Sequence, residues 1–119
     1  MAYKLLHPDD PEIEVFAGRF KKIRRAVGAS AFGINEIELP PGEQGAEHDE
    51  TKTGHEEVYV VLAGSGTFTI GGDDVPVRAG DYLRVDPEAT RQVTAGEEGM
   101  RFLVVGGKPK SLYDGRPTL

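Results

Sequence analysis

The chain has 119 residues, a formal net charge of −6 and no cysteine. That length suits one domain with a single core, and the lack of cysteine excludes disulfides and thiolate-held zinc. An acidic balance argues against a nucleic-acid binder, whose phosphate affinity rests on clustered Lys and Arg. No apolar run approaches the roughly 18–20 residues that span a bilayer, and Met1 to Glu12 does not read as a signal peptide. A cytoplasmic protein with no membrane and no nucleic-acid partner is therefore expected.

Sixteen glycines and eight prolines cut the sequence into short pieces. No stretch keeps an apolar helical period over three turns, so little or no helix is expected. Pro8-Asp9-Asp10-Pro11 is turn chemistry. Ile13 to Phe16 reads as a short strand before an Ala17-Gly18 turn. The basic segment Arg19 to Arg25 reads as a solvated edge strand or loop, where lysines discourage strand aggregation. Ala31 to Leu39 alternates as a long strand, with an apparent register shift between Ile34 and Ile37 that predicts a bulge near Asn35. Pro40-Pro41-Gly42 ends it.

From Gly42 to Gly66 the chain changes character. Its first half is polar, with two of the three histidines and a run of carboxylates. Its second half is the apolar strand Val58 to Leu62, closed by what reads as a tight Gly64-Ser65-Gly66 turn. Acidic and imidazole groups are thus delivered to the mouth of a strand that enters a core. His55 and Glu57 are two apart and face the same way on an extended strand, whereas Glu56 and Glu57 face opposite sides and cannot form a carboxylate dyad. Downstream, Thr67 to Ile70 runs into a Gly71-Gly72-Asp73-Asp74 hairpin, and Val75 to Arg78 is a strand weakened by Pro76. Tyr82 to Val85, Thr90 to Thr94 and Met100 to Val105 follow, the last two separated by a Gly96-Glu97-Glu98-Gly99 turn. Tyr82, Phe68 and Phe102 are expected in the core, and His7 is expected in solvent. About eight short strands at regular turn spacing suggest a sandwich or barrel.

The sequence resembles the cupin superfamily of double-stranded β-helix, or jelly-roll, barrels. In the first cupin motif Gly42 is followed by five residues and His48, and Glu57 by six residues and Gly64. In the second, Gly80 is followed by five residues and Asp86-Pro87-Glu88, with Arg91 at the histidine place. The resemblance covers about Ala31 to Val105 and implies an all-β cupin barrel over residues 1–119, with N-terminal strands before residue 31 and a tail over residues 106–119. It also implies a homodimer, to which that tail could cross. Metal-bearing cupins hold their ion with two histidines and the glutamate of the first motif and the histidine of the second. Here His48 and Glu57 match, Glu50 stands at the second histidine place, the gap from Glu50 to Glu57 is a few residues longer than the motif's usual one, Arg91 replaces the last histidine, and Ala95 replaces the closing asparagine.

Arginine cannot ligate a metal, because its guanidinium stays protonated and offers only donors. The leading expectation is therefore a barrel mouth that binds a small polar or anionic molecule without the usual metal, lined by His48, Glu50, His55, Glu57, Tyr59 and Arg91, with Glu57 and Arg91 ion-paired. The alternative is a metal-dependent enzyme, a dioxygenase or isomerase, with Mn, Fe, Ni or Zn on His48, Glu50 and Glu57. A third is a non-catalytic structural or interaction module. The sequence leaves open whether the protein is an enzyme.

Overall fold

The computed structural model describes residues 2–110. In chain order the elements are β1 (Glu14–Phe16), β2 (Phe20–Lys22), a single helical turn α1 (Ile23–Val27), β3 (Gly33–Leu39), β4 (Glu56–Ile70), β5 (Asp73–Arg78), β6 (Tyr82–Val85) and β7 (Arg91–Gly107). All strand pairings are antiparallel, and the hydrogen-bonded order is β1-β2-β3-β7-β4-β5, with β6 on the free side of the first half of β4. Pro76 is tolerated because β5 is an edge strand, with one side unpaired.

The long pair β4–β7 folds this sheet over itself. Tyr59 and Phe68 lie nine positions apart on β4, about 30 Å along a straight strand, yet their ring centroids are 4.6 Å apart. Two irregularities make the bend. Leu62 is an extra residue between the Val61↔Phe102 and Ala63↔Arg101 pairs, and beyond it Gly64 pairs with Met100 but Gly66 with Ala95. Ser65 thus faces the four residues Gly96 to Gly99. The two glycine-rich segments read as chain reversals are therefore two sides of one corner, and β4 and β7 each run through it. Phe102 completes an aromatic cluster with Tyr59 and Phe68 at 5.9 and 6.1 Å, inside a core that includes Leu39, Val61, Val85 and Met100.

Three other expectations are corrected. β3 pairs with β7 in unbroken register from Gly33↔Gly106 to Leu39↔Met100, so there is no bulge at Asn35. Its alternation is blurred because Ile34, on the face opposite Ile37, is half-buried as well, and α1 packs against this strand. The basic segment is neither plain edge strand nor loop: β2 leads into α1, which Gly28 ends at φ 81°, its N–H donating to the Arg24 carbonyl. Tyr82 is exposed rather than core, because Leu83 and Val85 take the inward positions of β6.

The Ala17-Gly18 turn and the Gly71-Gly72 hairpin form as expected, each with two residues at positive φ. β7 continues through Gly107, which removes the expected tail's first two residues from any tail; residues 111–119 lie outside the described part. Among the described residues no helix is long and apolar enough to cross a membrane.

Candidate functional site

Register dictates which side chains reach the interior of the bend. Phe16, Phe20, Ile37, Phe102 and Val61 are successive cross-strand partners over five strands and form one transverse row. Two residues along the strands, Lys22, Asn35, Val104 and Tyr59 form the next row. Two further along, Gly33, Gly106 and Glu57 form the third. Side chains with the same parity share a face, so an aromatic wall, a mixed middle and a glycine-flanked carboxylate line one surface. All of these residues except Lys22 and Val61 line a cavity of about 540 Å³ between the two halves of the bend, within the range of small-molecule sites.

The opposite wall comes from residues 42–50, which run beside the first half of β7. His48 and Arg91 exchange both backbone hydrogen bonds, at 3.0 and 2.9 Å, and the Glu50 N–H donates to the Pro87 carbonyl at 2.9 Å. These bonds set His48 and Glu50 against Glu57. The turn through residues 51–54, closed by the Gly54 N–H on the Glu50 carbonyl at 2.8 Å, accounts for the long gap between Glu50 and Glu57. Thr51 stiffens its entry by donating its N–H and hydroxyl to the Asp49 carboxylate, which lowers that group's pKa.

Arg91 is only 1% exposed. A buried guanidinium is tolerated only with partners. It donates from Nη1 to the Ala89 carbonyl at 2.7 Å, from Nε to the Tyr59 hydroxyl at 3.3 Å, and from Nη2 to Glu57 Oε1 at 3.2 Å. The Tyr59 hydroxyl in turn donates to the same Oε1 at 2.8 Å. Glu57 Oε1 therefore collects two donors, while Oε2 is turned towards Gly106, 3.7 Å from where a Cβ there would stand. Among the described residues no buried side-chain nitrogen or oxygen lacks a partner.

Burial first, and then the neighbouring Glu57 carboxylate, push the Tyr59 hydroxyl well above the ordinary tyrosine range. Below the ordinary value of about 10 both folded and unfolded chains keep this proton, and stability is unaffected by it. Above that value the unfolded chain releases the proton while the folded chain holds it, so stability falls as pH rises. An absorbance titration at 295 nm should show one tyrosine that ionises only as the protein unfolds, and Tyr59→Phe should abolish that step.

His48 Nε2 lies 3.3 Å from Glu50 Oε2 and 3.7 Å from Glu57 Oε1. The three groups offer ligand atoms all within 4.8 Å of one another. The donor set, one imidazole and two carboxylates, suits a first-row divalent ion. His55 lines the same cavity but stays outside this cluster. Arg91 sets a fixed positive charge beside this cluster, 3.2 Å from Glu57 Oε1.

Sequence reasoning missed Phe16, Phe20, Asn35, Gly33 and Gly106 as parts of the cavity. Only the strand register would have found them. Arg19, read as part of a solvated basic run, also lines the cavity and is paired with Glu43.

Residues 35–106 match the Cupin domain family. The chain belongs to this family. A similar curated protein is an oxalate-binding protein of Thermotoga maritima, 34% identical over 70 residues, covering 58% of this chain and 56% of that protein. Another is a dimethylsulfoniopropionate lyase of Ruegeria pomeroyi, 40% identical over 65 residues, covering 55% and 41%. The chain thus spans about half the length of the curated relatives it matches. A solved cupin protein of Bacteroides fragilis aligns over 100% of this chain and 99% of its own, with a TM-score of 0.78 and 25% identity. The folded-over sheet is accordingly a cupin jelly roll, all-β apart from α1.

Proposed function

We propose that this cupin binds a small polar molecule in its barrel mouth, with Glu57 as the central acceptor and His48 and Glu50 at the rim. The observation that carries this reading is the fixed carboxylate: Tyr59 and Arg91 hold Glu57 Oε1 at 2.8 and 3.2 Å, beside a cavity of about 540 Å³. A carboxylate pinned from behind keeps one orientation and presents its other oxygen to a ligand without paying side-chain entropy.

The charge on display narrows the earlier expectation. Arg91 is buried with its donors turned to Ala89, Tyr59 and Glu57, so it offers little to an anion. The carboxylates of Glu50 and Glu57 remain partly open, at 20% and 15% side-chain exposure. Donor-bearing ligands are favoured over anions.

The convergence of His48, Glu50 and Glu57 favours a second reading, in which these three hold a divalent ion. Such an ion would supply Lewis-acid polarisation of a bound oxygen. The names of the curated relatives, one a binding protein and one a lyase, are compatible with either reading.

Two measurements on one set of samples separate them. Glu57→Gln retains an acceptor for Tyr59 and Arg91 and should keep the fold, while reducing affinity for polar solutes found by ligand-observed NMR by about tenfold, the loss of one charge-assisted hydrogen bond. Unchanged affinities would remove the first reading. Elemental analysis of untagged protein beside His48→Ala tests the second, which requires close to one equivalent of transition metal that disappears in the variant. A homodimer remains part of the proposal, and sedimentation velocity would test it.

A further inference from the structure

We infer that the ligand of this mouth carries an apolar, preferably aromatic, body behind a hydrogen-bond-donating head, and that the N-terminal hairpin selects the body. The inference rests on the reading of Glu57 as the head-group acceptor and adds what lies at the other end of the cavity.

The hairpin of β1 and β2 extends the inner face of the sheet past the core. Phe16 pairs with Phe20, Phe20 with Ile37 and Ile37 with Phe102, so the row descends from solvent to the barrel interior. Phe102 at its foot is 1% exposed, whereas Phe16 at its top is 66% exposed although it lines the cavity. Phe16 and Phe20 both lie outside residues 35–106, so the outer half of the apolar wall is an addition to the matched cupin core. Nothing in the packing of the core requires an aromatic ring at Phe16. Its ring is left at the mouth, where it can cover something that enters.

The hairpin is also held in place. Its turn passes through Ala17 at φ 55° and Gly18 at φ 70°, with the Arg19 N–H on the Phe16 carbonyl at 3.1 Å. The Glu38 N–H donates to the Arg19 carbonyl at 3.0 Å, and the Arg19 guanidinium pairs with the Glu43 carboxylate on the opposite wall. The backbone that carries the two rings is therefore tied both to β3 and to the opposite wall. From the Phe20–Ile37 row to the Glu57 row is four strand residues, about 13 Å. At the far end Gly33 and Gly106 line the cavity without side chains, and a Cβ on Gly106 would be in contact with Glu57 Cγ at 3.5 Å. The geometry suits an elongated molecule with its donor end between the glycines and its body along the aromatic wall.

The test uses matched probes on chelator-treated full-length protein: 2-phenylethylamine and 2-phenylethanol, which have the body and a donor head; 3-phenylpropionate, which has the body and an anionic head; and ethanolamine, which has donors but no body. Dissociation constants from NMR titration should be lowest for the first two, by about tenfold over the last two, as expected for burying one ring face and for one misplaced charge. Phe16→Ser should weaken both phenyl donors by about fivefold with an unchanged melting temperature, because that ring is exposed in the free protein. Gly106→Val should abolish their binding.

Binding that depends on Glu57 but ignores Phe16 and the phenyl body would overturn this inference and leave the polar site intact. Binding that ignores Glu57→Gln would overturn the site reading and this inference with it. If no phenyl donor binds while other polar solutes still respond to Glu57→Gln, only the inference falls.

Discussion

Replacing Glu57 by leucine is expected to destabilise the protein by about 3 kcal/mol, and replacing Arg91 by methionine in the same background is expected to restore most of that loss. The cause is the position of Arg91. Its guanidinium is 1% exposed and its one carboxylate partner is Glu57, at 3.2 Å. Leucine would leave the positive charge with a carbonyl and a phenol as its remaining partners, too little for an ion cut off from water. For a chain of this length the loss corresponds to a fall in melting temperature of roughly 10 °C. Arg91→Met alone should cost less, because Glu57 is 15% exposed on its side chain, keeps the Tyr59 hydroxyl and can still reach solvent. The expected order from urea unfolding is therefore wild type and double variant close together, Arg91→Met below them, and Glu57→Leu lowest. Equal losses in the two single variants would show that the pair is not asymmetrically buried, and a double variant as weak as Glu57→Leu would show that the pair contributes net stability.

That asymmetry was half legible in the sequence. The motif places of Glu57 and Arg91 predicted their meeting, because residues that hold one ion in a cupin must converge when the ion's last ligand becomes an arginine. Nothing local predicted which of the two would be buried. Arg91 begins a strand that is flanked by residues 42–48 on one side and β4 on the other, and only that double cover removes it from water. Phe16 and Phe20 were hidden for a related reason. Phe16 reads as the end of a short strand and Phe20 as part of a solvated basic segment, and it takes the register through Ile37 and Phe102 to see that their face is the cavity's. Tyr82 misled in the opposite sense: it reads as core, whereas Leu83 and Val85 take the inward positions of β6 and leave it in solvent.

The sharpest conflict between local signal and long-range structure lies at the corner of the sheet, and Gly64→Ala is expected to be the most damaging single methyl addition there. Gly64 has φ 76°, which alone disfavours any residue with a Cβ by about 1 kcal/mol. The added carbon would stand 2.0 Å from the Gly99 carbonyl oxygen. That oxygen belongs to backbone, and Gly99 is itself hemmed in, with the Leu39 carbonyl oxygen 2.9 Å from where its own Cβ would be. No flexible side chain can yield, so the two strands must part at Gly64↔Met100, next to the buried Met100 and Phe102. A loss of more than about 3 kcal/mol follows, from strain in the backbone and from core residues losing their contacts. Gly72→Ala is the control: its φ of 92° is as unfavourable, but nothing lies within 4 Å of its Cβ direction, so it should cost only about 1 kcal/mol. Urea midpoints for the two variants test the argument directly. If Gly64 were the hinge of an ordinary exposed turn, as its sequence suggests, the two losses would be alike. A much larger loss at Gly64 would mean that this glycine is required by the closeness of another strand rather than by its own dihedral angle, and that the bend closing the cavity over Glu57 depends on it.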